Sequence, residues 1–383
     1  MVPFIDFKRQ YEGIKQEVLV ATLNVYERGR YILGEEVAAF EKEFAGYCGT
    51  RYAVSVGSGT DALYLSLKAA KIGEGDEVIT TANSFISTAL AVSFTGAKPL
   101  FVDIDADTYT MDPNHLELLL KRRMAKKGWQ RVKAILPVHL YGHPAEMNSI
   151  LEVANRHELV VIEDACQAHG ASFRGKRVGS FGTFGCFSFY PTKNLGAYGD
   201  GGIVVTNHQR LYEKLRLFRC YGEKAKYHHA LKGINSRLDE LQAAILRVKL
   251  RYLDQWNEAK RKKADLYTRA LSPLGIACPV EKKAAHHVYY LYVIRTGKRD
   301  SLQAFLKKKG IETLIHYPIP IHQQRAYKEL GYRKGDLPLT EQDCKRILSL
   351  PFFPDMEKSE IEEVVKAIET FMETALHPHL TSY

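Results

Sequence analysis

The chain has 383 residues, 45% of them hydrophobic, which is enough for one large cored domain and a smaller one. Its 54 lysines and arginines exceed its 44 aspartates and glutamates by ten, which favours an anionic partner through long-range attraction. No segment is apolar enough to cross a bilayer, and charged residues interrupt any apolar stretch of the kind a secretion signal needs at the N-terminus. We therefore expect a cytoplasmic protein without a membrane partner.

The spacing of the cysteines disfavours a metal-binding or disulfide-bonded protein, and the basic runs do not indicate a nucleic-acid-binding protein. The six cysteines lie far apart, with no C-x-x-C and no Cys/His cluster at zinc-ligand spacing, so neither a metal site nor disulfides are expected. The densest basic runs, 121–127 and 260–263, fall in helix-like stretches where charge is typical of a solvated face. Because no nucleic-acid motif accompanies them, we expect no nucleic-acid partner, although a small phosphorylated ligand would use the same charge.

Between residues 53 and 206, short apolar runs alternate with segments of helical period. The alternation indicates βαβ crossovers and a mostly parallel sheet covered by helices on both faces, which predicts an α/β large domain. The predicted strands, with helices between the first five, are 53–56, 77–81, 98–105, 132–138, 159–164 and 201–206.

Beyond the predicted sheet the pattern changes. Residues 238–271 contain neither Pro nor Gly, which predicts one long helix that bridges two domains. We predict a large domain over residues 1–250 and a small α+β domain over residues 251–383. The predicted elements of the small domain are a strand at 286–295, a helix at 301–310, a strand at 312–318 and an amphipathic helix at 358–375.

The first predicted strand turns directly into a helix through Gly57 and Gly59. Such a turn points backbone N–H groups and the positive end of a helix at an anion, so it can bind a phosphate. Gly57, Gly59 and Ala62 also match the dinucleotide fingerprint, which leaves a nicotinamide-dependent oxidoreductase as an alternative. That fingerprint requires an acid at the end of the next strand, but this strand ends in two threonines and Glu77 precedes it. A tight turn without a ligand is the remaining interpretation.

The predicted strand at 159–164 ends in two carboxylates, Glu163 and Asp164. They lie at the carboxyl edge of the sheet, where open α/β folds bind ligands. A carboxylate there can pair with a protonated ring nitrogen and so make the ring an electron sink. The alternative for an isolated pair of this kind is an Asp that caps the next loop.

Lys193 lies in a short polar connection between two apolar strands, among hydroxyls and glycines. A lysine so placed suits imine formation, whereas solvation at the surface is the alternative for any single lysine. The phosphate turn, Asp164 and Lys193 occur in the order and spacing that one cofactor requires.

Seven motifs stand in register along the chain: PFIDFKRQY, GRYILGEEVAAFEKEF, SGTDAL, VIEDACQAHGA, SFYPTKNLGAYGDGG, INSRLDELQAAIL and IHYPIPIH. Together they resemble the sugar aminotransferases of the DegT/DnrJ/EryC1/StrS family. The resemblance implies the aspartate-aminotransferase fold, fold type I of the enzymes that use pyridoxal 5'-phosphate, and that cofactor itself. Cys166 and Ser87 stand where the family commonly has Ala, and Tyr31 where it often has Trp. None of these departures removes a catalytic group.

The resemblance also implies which residues hold the cofactor. Lys193 would bind it covalently and act as general base, and Asp164 would pair with the ring nitrogen. A homodimer with the active site at the interface follows, because one phosphate ligand comes from a second subunit. Phe85 has plain core packing as its alternative. The other implied contacts are Gln167 on the ring hydroxyl, Phe85 stacked on the ring, Gly59, Thr60 and Ser188 on the phosphate, and Asn235 from the partner.

The implied reaction is ping-pong aminotransfer from L-glutamate to a nucleotide-linked keto-sugar. The first and last motifs most resemble members that aminate carbon 3 of a dTDP-linked 3-keto-6-deoxyhexose; amination of a 4-keto sugar or of a UDP-linked 3-keto uronic acid stays open. A binding protein that has lost catalysis is the other class considered, but the intact cofactor residues speak against it. The candidate sugar-pocket residues, with ordinary structural hydrogen bonding as the alternative for each, are Tyr31, Tyr190, Tyr221, His316, Tyr317 and His322.

Overall fold

A computed structural model describes residues 1–125 and 129–376, so part of the basic run 121–127 and the end of the predicted small domain lie outside the described residues. The helices are α1 (Phe7–Arg28), α2 (Glu35–Cys48), α3 (Gly59–Ala69), α4 (Ser87–Phe94), α5 (Pro113–Met124), α6 (Met147–Arg156), α7 (Gln209–Phe218), α8 (Glu240–Leu250), α9 (Leu253–Leu271), α10 (Arg299–Lys308), α11 (Pro338–Asp343) and α12 (Lys358–Leu376). The strands are β1 (Tyr52–Val56), β2 (Glu77–Thr81), β3 (Lys98–Val102), β4 (Val132–Ile135), β5 (Val160–Asp164), β6 (Ser172–Phe173), β7 (Lys176–Arg177), β8 (Phe184–Ser188), β9 (Gly202–Thr206), β10 (Glu223–Ala225), β11 (His228–His229), β12 (Ala285–His286), β13 (Tyr292–Arg295) and β14 (Ile347–Leu350).

Within the described ranges, seven strands form the main sheet in the order β1-β9-β8-β5-β4-β2-β3. The strands from β8 to β3 pair in parallel, whereas β9 lies antiparallel between β1 and β8. Parallel strands end at a shared edge, which in open α/β folds is where ligands bind. The predicted α/β fold with a mostly parallel sheet is therefore confirmed.

The phosphate turn predicted after the first strand is present, and its side chains explain it. Ser58 caps α3, because its hydroxyl accepts the N–H of Asp61 at 3.1 Å. Val54 and Val56 on β1 and Leu63 on α3 are buried in one core, which fixes the helix against the sheet. The first turn of α3 therefore lies at the carboxyl edge of the sheet.

The single helix predicted over residues 238–271 is wrong, because α8 ends at Leu250 and α9 begins at Leu253. Between them the N–H of Tyr252 donates to the carbonyl of Lys249 at 3.0 Å, a tighter turn than an α-helix makes. No Pro or Gly causes this break. Its cause is tertiary packing, since α8 packs against α1 and α2 whereas α9 packs against α12.

The C-terminal part of the chain has a separate hydrophobic core, in which β13 and β14 pair antiparallel and α9, α10 and α12 cover them. This core supports a domain boundary near residue 250, which stays a proposal. The strand predicted at 312–318 is wrong: only Leu314 pairs, as a single bridge to Ser349. The strand predicted at 286–295 forms only at its two ends, in β12 and β13. The residues between them, 287–291, are buried instead of joining a sheet.

Three observations concern the described residues alone. None of their helices is both long and apolar enough to cross a membrane. No cluster of His, Cys, Asp and Glu side chains in them could hold a metal ion. All six cysteines are free thiols.

Candidate active site

A cavity of about 680 Å³ opens at the carboxyl edge of the sheet. Its polar part, which we call the inner end, consists of the first turn of α3, the ends of β5 and β8 and the connection after β8. Its mostly apolar part, which we call the outer end, consists of the N-terminal segment Phe4–Phe7, Leu314 and the segment Phe352–Pro354. The predicted site residues that line this one cavity are Gly59, Thr60, Phe85, Asp164, Gln167, Ser188, Tyr190, Lys193, His316 and Tyr317.

Asp164 ends β5 and forms part of the inner end of the cavity, with only 5% of its surface exposed. One carboxylate oxygen accepts the hydroxyl of Thr88 at 2.8 Å, and the other accepts the N–H of Cys166 at 3.2 Å. These two donors fix the carboxylate and leave its remaining lone pairs for a cationic partner. The contact with Thr88, which lies on α4, carries no signal in the sequence.

The turn at Gly59 leaves no room for a side chain. A Cβ there would lie 2.6 Å from the Cβ of Ser188 and 2.9 Å from the sulfur of Cys166. The backbone can therefore approach a ligand closely, beside the hydroxyls of Thr60 and Ser188. A helix N-terminus with adjacent hydroxyls is an arrangement that binds phosphate.

Lys193 lies in the connection between β8 and β9, where its Nζ is 4.1 Å from the centroid of the Tyr290 ring. The N–H of Lys193 donates to the carbonyl of Tyr190 at 2.9 Å, and Thr192 shares a hydrogen bond of 2.9 Å with the hydroxyl of Tyr290. The amine therefore rests on an aromatic face within the cavity, where it contacts a π system. Tyr290 was not among the predicted site residues.

Gln167 connects the inner end to the C-terminal part of the chain. Its amide N–H donates to the hydroxyl of Tyr317 at 3.1 Å, and its carbonyl oxygen accepts the N–H of Tyr141 at 2.9 Å. The ring of Phe85, 53% exposed, lies 5.8 Å from the ring of Tyr317. Burial raises the pKa of Tyr317 well above its ordinary value, so this phenol keeps its proton near neutrality.

His316 lines the cavity as a neutral imidazole. Burial, and then the positive charge of Lys193, lowers the pKa of His316 to about 4. Its Nδ1 lies 2.9 Å from the hydroxyl of Ser349. The histidine can therefore hydrogen-bond a ligand without adding charge at pH 7.

His322 lies outside the cavity. It is buried, its Nε2 is 3.2 Å from a carboxylate oxygen of Glu341, and its ring packs near Tyr332. Structural hydrogen bonding, the alternative weighed for this residue, describes these contacts.

Tyr31, Tyr221 and Asn235 are also outside the cavity of their own chain, and all three are exposed at the surface. The next residue, Ser236, contacts the phosphate turn: its hydroxyl accepts the N–H of Gly57 at 2.9 Å and donates to Asp61 at 2.7 Å. Asn235 thus lies near the turn and is exposed.

Lys260 corrects the prediction that residues 260–263 form a solvated face. It is 4% exposed and lines the cavity, where burial lowers its pKa to about 7. Trp256, Lys260 and Ala264 share one buried face of α9 at a spacing of four residues. The four-residue spacing of this face could have predicted that Lys260 is buried, but the basic composition of residues 260–263 obscured the pattern.

The acid required by the dinucleotide alternative lies at the wrong edge of the sheet. Glu77 begins β2, and its carboxylate pairs with Arg123 there. The end of β2 near the cavity carries Thr81 instead. A ribose held at the phosphate turn would therefore have no carboxylate partner from this strand.

The model of the DegT/DnrJ/EryC1/StrS aminotransferase family matches residues 12–369. The chain belongs to this family. It is 47% identical to the pleiotropic regulatory protein of Geobacillus stearothermophilus over 97% of this chain and 98% of the relative. It is 46% identical to the dTDP-3-amino-3,4,6-trideoxy-alpha-D-glucose transaminase of Streptomyces venezuelae over 97% of this chain and 96% of the relative.

Among solved structures, this DegT/DnrJ/EryC1/StrS aminotransferase resembles DesV of S. venezuelae in complex with a ketimine intermediate. The TM-score is 0.92 at 46% identity, and the match covers 97% of this chain and 98% of that one. The predicted family, fold type, aminotransferase activity and pyridoxal phosphate cofactor are confirmed. The inner end fits such a cofactor, because it combines a cradle without side chains at Gly59, the fixed carboxylate of Asp164 and the amine of Lys193.

Proposed function

We propose that this aminotransferase moves an amino group from L-glutamate to carbon 3 of a dTDP-linked 3-keto-6-deoxyhexose. The observation that carries the chemistry is the convergence of Lys193, Asp164 and the turn at Gly59 on one cavity. The similarity to the S. venezuelae transaminase supports the choice of sugar, since its name describes a dTDP-linked 3-amino deoxyhexose. A cytoplasmic location belongs to the same proposal.

The residues of the inner end divide the work. Pyridoxal phosphate, when bound, supplies an electron sink next to the carbon that loses its proton. Lys193 would hold the cofactor covalently; once the amino donor has displaced it, its Nζ would take the proton from the donor carbon and later return one to the sugar carbon. Asp164 would keep the ring nitrogen protonated, and its carboxylate is already held in place by Thr88 and Cys166.

The phosphate and the ring each have their own contacts. The backbone of Gly59 and Thr60 and the hydroxyl of Ser188, which line the cavity, would bind the phosphate, and Phe85 would cover the ring. Gln167 orients the ring hydroxyl with the amide that also donates to Tyr317.

A homodimer completes the site in this proposal. The exposed Asn235 of one subunit reaches the phosphate of the other, and the exposed rings of Tyr31 and Tyr221 line the sugar pocket there. Tyr190, His316 and Tyr317 contact the sugar from within the subunit, because they already line the cavity. At low protein concentration activity should fall as the dimer dissociates, and a fully active monomer would refute this arrangement.

The visible spectrum of the purified protein tests the function. We expect a yellow protein that is bleached by glutamate and regains its colour with a dTDP-linked 3-keto-6-deoxyhexose. Bleaching without recovery would refute the sugar and direct the search to 4-keto or UDP-linked 3-keto uronic substrates. Absence of colour after addition of pyridoxal phosphate would refute the role of Lys193.

A further inference from the structure

The segment that carries Lys193, residues 189–201, is held by side chains from α8 and α9. Lys249 donates from its Nζ to the carbonyl of Gly196 at 2.5 Å, and Lys260 donates to the side-chain oxygen of Asn194 at 3.0 Å. Both lysines are buried, and burial lowers the pKa of each to about 7. Buried amines are costly, so each must be held by contacts that repay its desolvation.

The two lysines differ in where they lie. Lys260 lines the cavity and also donates to the carbonyl of Tyr290 at 3.0 Å. Its Nζ is 5.9 Å from the centroid of the Tyr290 ring, on which Lys193 rests at 4.1 Å. Lys249 lies outside the cavity, with its Nζ 4.6 Å from the ring centroid of Tyr198.

Asn194 joins Lys260 to the rest of the inner end. Its amide N–H groups donate to Asn257 at 2.8 Å and to the carbonyl of Val288 at 3.0 Å, so the whole side chain is satisfied and 7% exposed. Asn257 in turn donates to the carbonyl of His169 at 2.9 Å, two residues from the predicted ring contact Gln167. One network therefore connects the neighbour of Lys193 to α9 and to the segment after β5.

We propose that Lys260, acting through Asn194 and the carbonyl of Tyr290, is a positioning residue that fixes the amine of Lys193 over the Tyr290 ring for attack on the cofactor. The inference rests on the proposed role of Lys193. Lys260 does not itself react. Its two hydrogen bonds hold the side chain of Asn194, the residue next to Lys193, and the backbone of Tyr290, whose ring lies against the amine of Lys193. Misplacement of a reacting group by about 1 Å can slow a reaction by about 10²-fold.

The test measures the rate at which the cofactor-free protein binds pyridoxal phosphate covalently, and it requires no catalytic turnover. Cofactor-free protein is mixed with pyridoxal phosphate, and the visible band is followed as Nζ bonds to the aldehyde carbon with loss of one water. Borohydride trapping and peptide mapping then identify the modified lysine. We expect Lys260→Met and Asn194→Ala to slow band formation by about tenfold or more. Lys260→Arg, which keeps N–H donors at this position, should restore the rate of band formation to within about threefold of the unmodified protein.

Lys249→Met is the matched control. Lys249 is also a buried lysine that donates a hydrogen bond to the segment 189–201, but it lies outside the cavity. We expect it to lower the thermal midpoint while band formation stays within about twofold of the unmodified protein. Equal slowing in Lys249→Met and Lys260→Met, or no slowing in Lys260→Met and Asn194→Ala, would overturn the positioning role. If Lys260→Met does not fold, Asn194→Ala and Lys260→Arg decide between these outcomes.

The failure of the inference and of the proposed function can be told apart. A visible band that persists in Lys193→Ala refutes the function. Trapped cofactor on Lys260 instead of Lys193 refutes both. A band lost in Lys193→Ala but formed at the normal rate in Lys260→Met refutes only the positioning role.

Discussion

The two ends of the active-site cavity are built in different ways. The inner end comes from strand ends and one helix terminus, and its carboxylate and amides have partners within about 3.2 Å. The outer end comes from segments distant in sequence, Phe4–Phe7 and Phe352–Pro354, and is mostly apolar. From this difference we propose that the sheet fixes the reaction chemistry, whereas the outer end contributes to the choice of sugar through side chains that can change without disturbing the sheet.

Loss of the Lys193 amine should have the largest effect on activity. Lys193→Ala is expected to abolish the visible band and to lower turnover by about 10⁴-fold, because both the covalent link and the general base are removed. Absorbance and single-turnover kinetics measure the two losses. Retained turnover would show that the inner end does not carry the chemistry, and normal thermal unfolding serves as the control for folding.

Loss of the inner carboxylate should have the next largest effect. Asp164→Asn keeps the size of the side chain but removes the charge that holds the ring proton, so kcat should fall on the order of 10²-fold to 10³-fold. Thr88→Val removes one hydrogen bond to this carboxylate and should lower kcat less. An unchanged kcat in Asp164→Asn would contradict the pairing with the ring nitrogen.

A methyl group added at the phosphate-binding turn should weaken the binding of the cofactor without changing the reaction that it catalyses. In Gly59→Ala the new Cβ would crowd Ser188 and Cys166, so the dissociation constant for pyridoxal phosphate should rise about tenfold, or ~1.4 kcal/mol. Fluorescence titration measures it. The matched control is Gly13→Ala in α1, where nothing lies within 4 Å of the added Cβ. Equal affinity in both variants would argue against a phosphate at this turn.

A substitution at the outer end should affect only the binding of the sugar. Leu314 is 47% exposed and lines the cavity, so Leu314→Ala should raise KM for the sugar about fivefold through ~1 kcal/mol of lost apolar contact. The half-reaction with glutamate should stay unchanged. Ile319, 49% exposed and outside the cavity lining, provides the matched Ile319→Ala control. A fall in the glutamate rate would mean that the two ends are not independent.

Protonation of Lys249 should affect the stability of the fold and not the reaction. The pKa of Lys249 is about 7 in the folded protein and lies near 10.5 when the chain unfolds, so the unfolded state binds an extra proton between these values. The free energy of unfolding should therefore rise with pH from about 7 to 10, by up to ~1.4 kcal/mol per pH unit for this group. Chemical denaturation at pH 7, 8 and 9 should give a flatter dependence in Lys249→Met. Parallel curves would contradict the depressed pKa.

The sequence was most informative where local rules apply. The glycine turn, the strand-end Asp164 and Lys193 are each encoded within a few residues, and the structure brings them to one cavity. The outer end and the partners of the inner residues, such as Thr88 and Lys260, arise from tertiary packing between distant segments. The break between α8 and α9 and the single bridge at Leu314 have the same origin, because packing overrode local propensity there.

The antiparallel strand β9 has a consequence for the return of the lysine. Because β8 and β9 are antiparallel neighbours, the segment between them begins and ends at the same edge, and the N–H of Phe189 donates to the carbonyl of Gly201 at 2.7 Å to close its base. Asp164 lies on β5, directly beside β8. In a ping-pong reaction the amine of Lys193 must leave and return once in every cycle. Because the loop is closed at its base, the effective molarity of the Lys193 amine at the cavity stays high during the whole cycle.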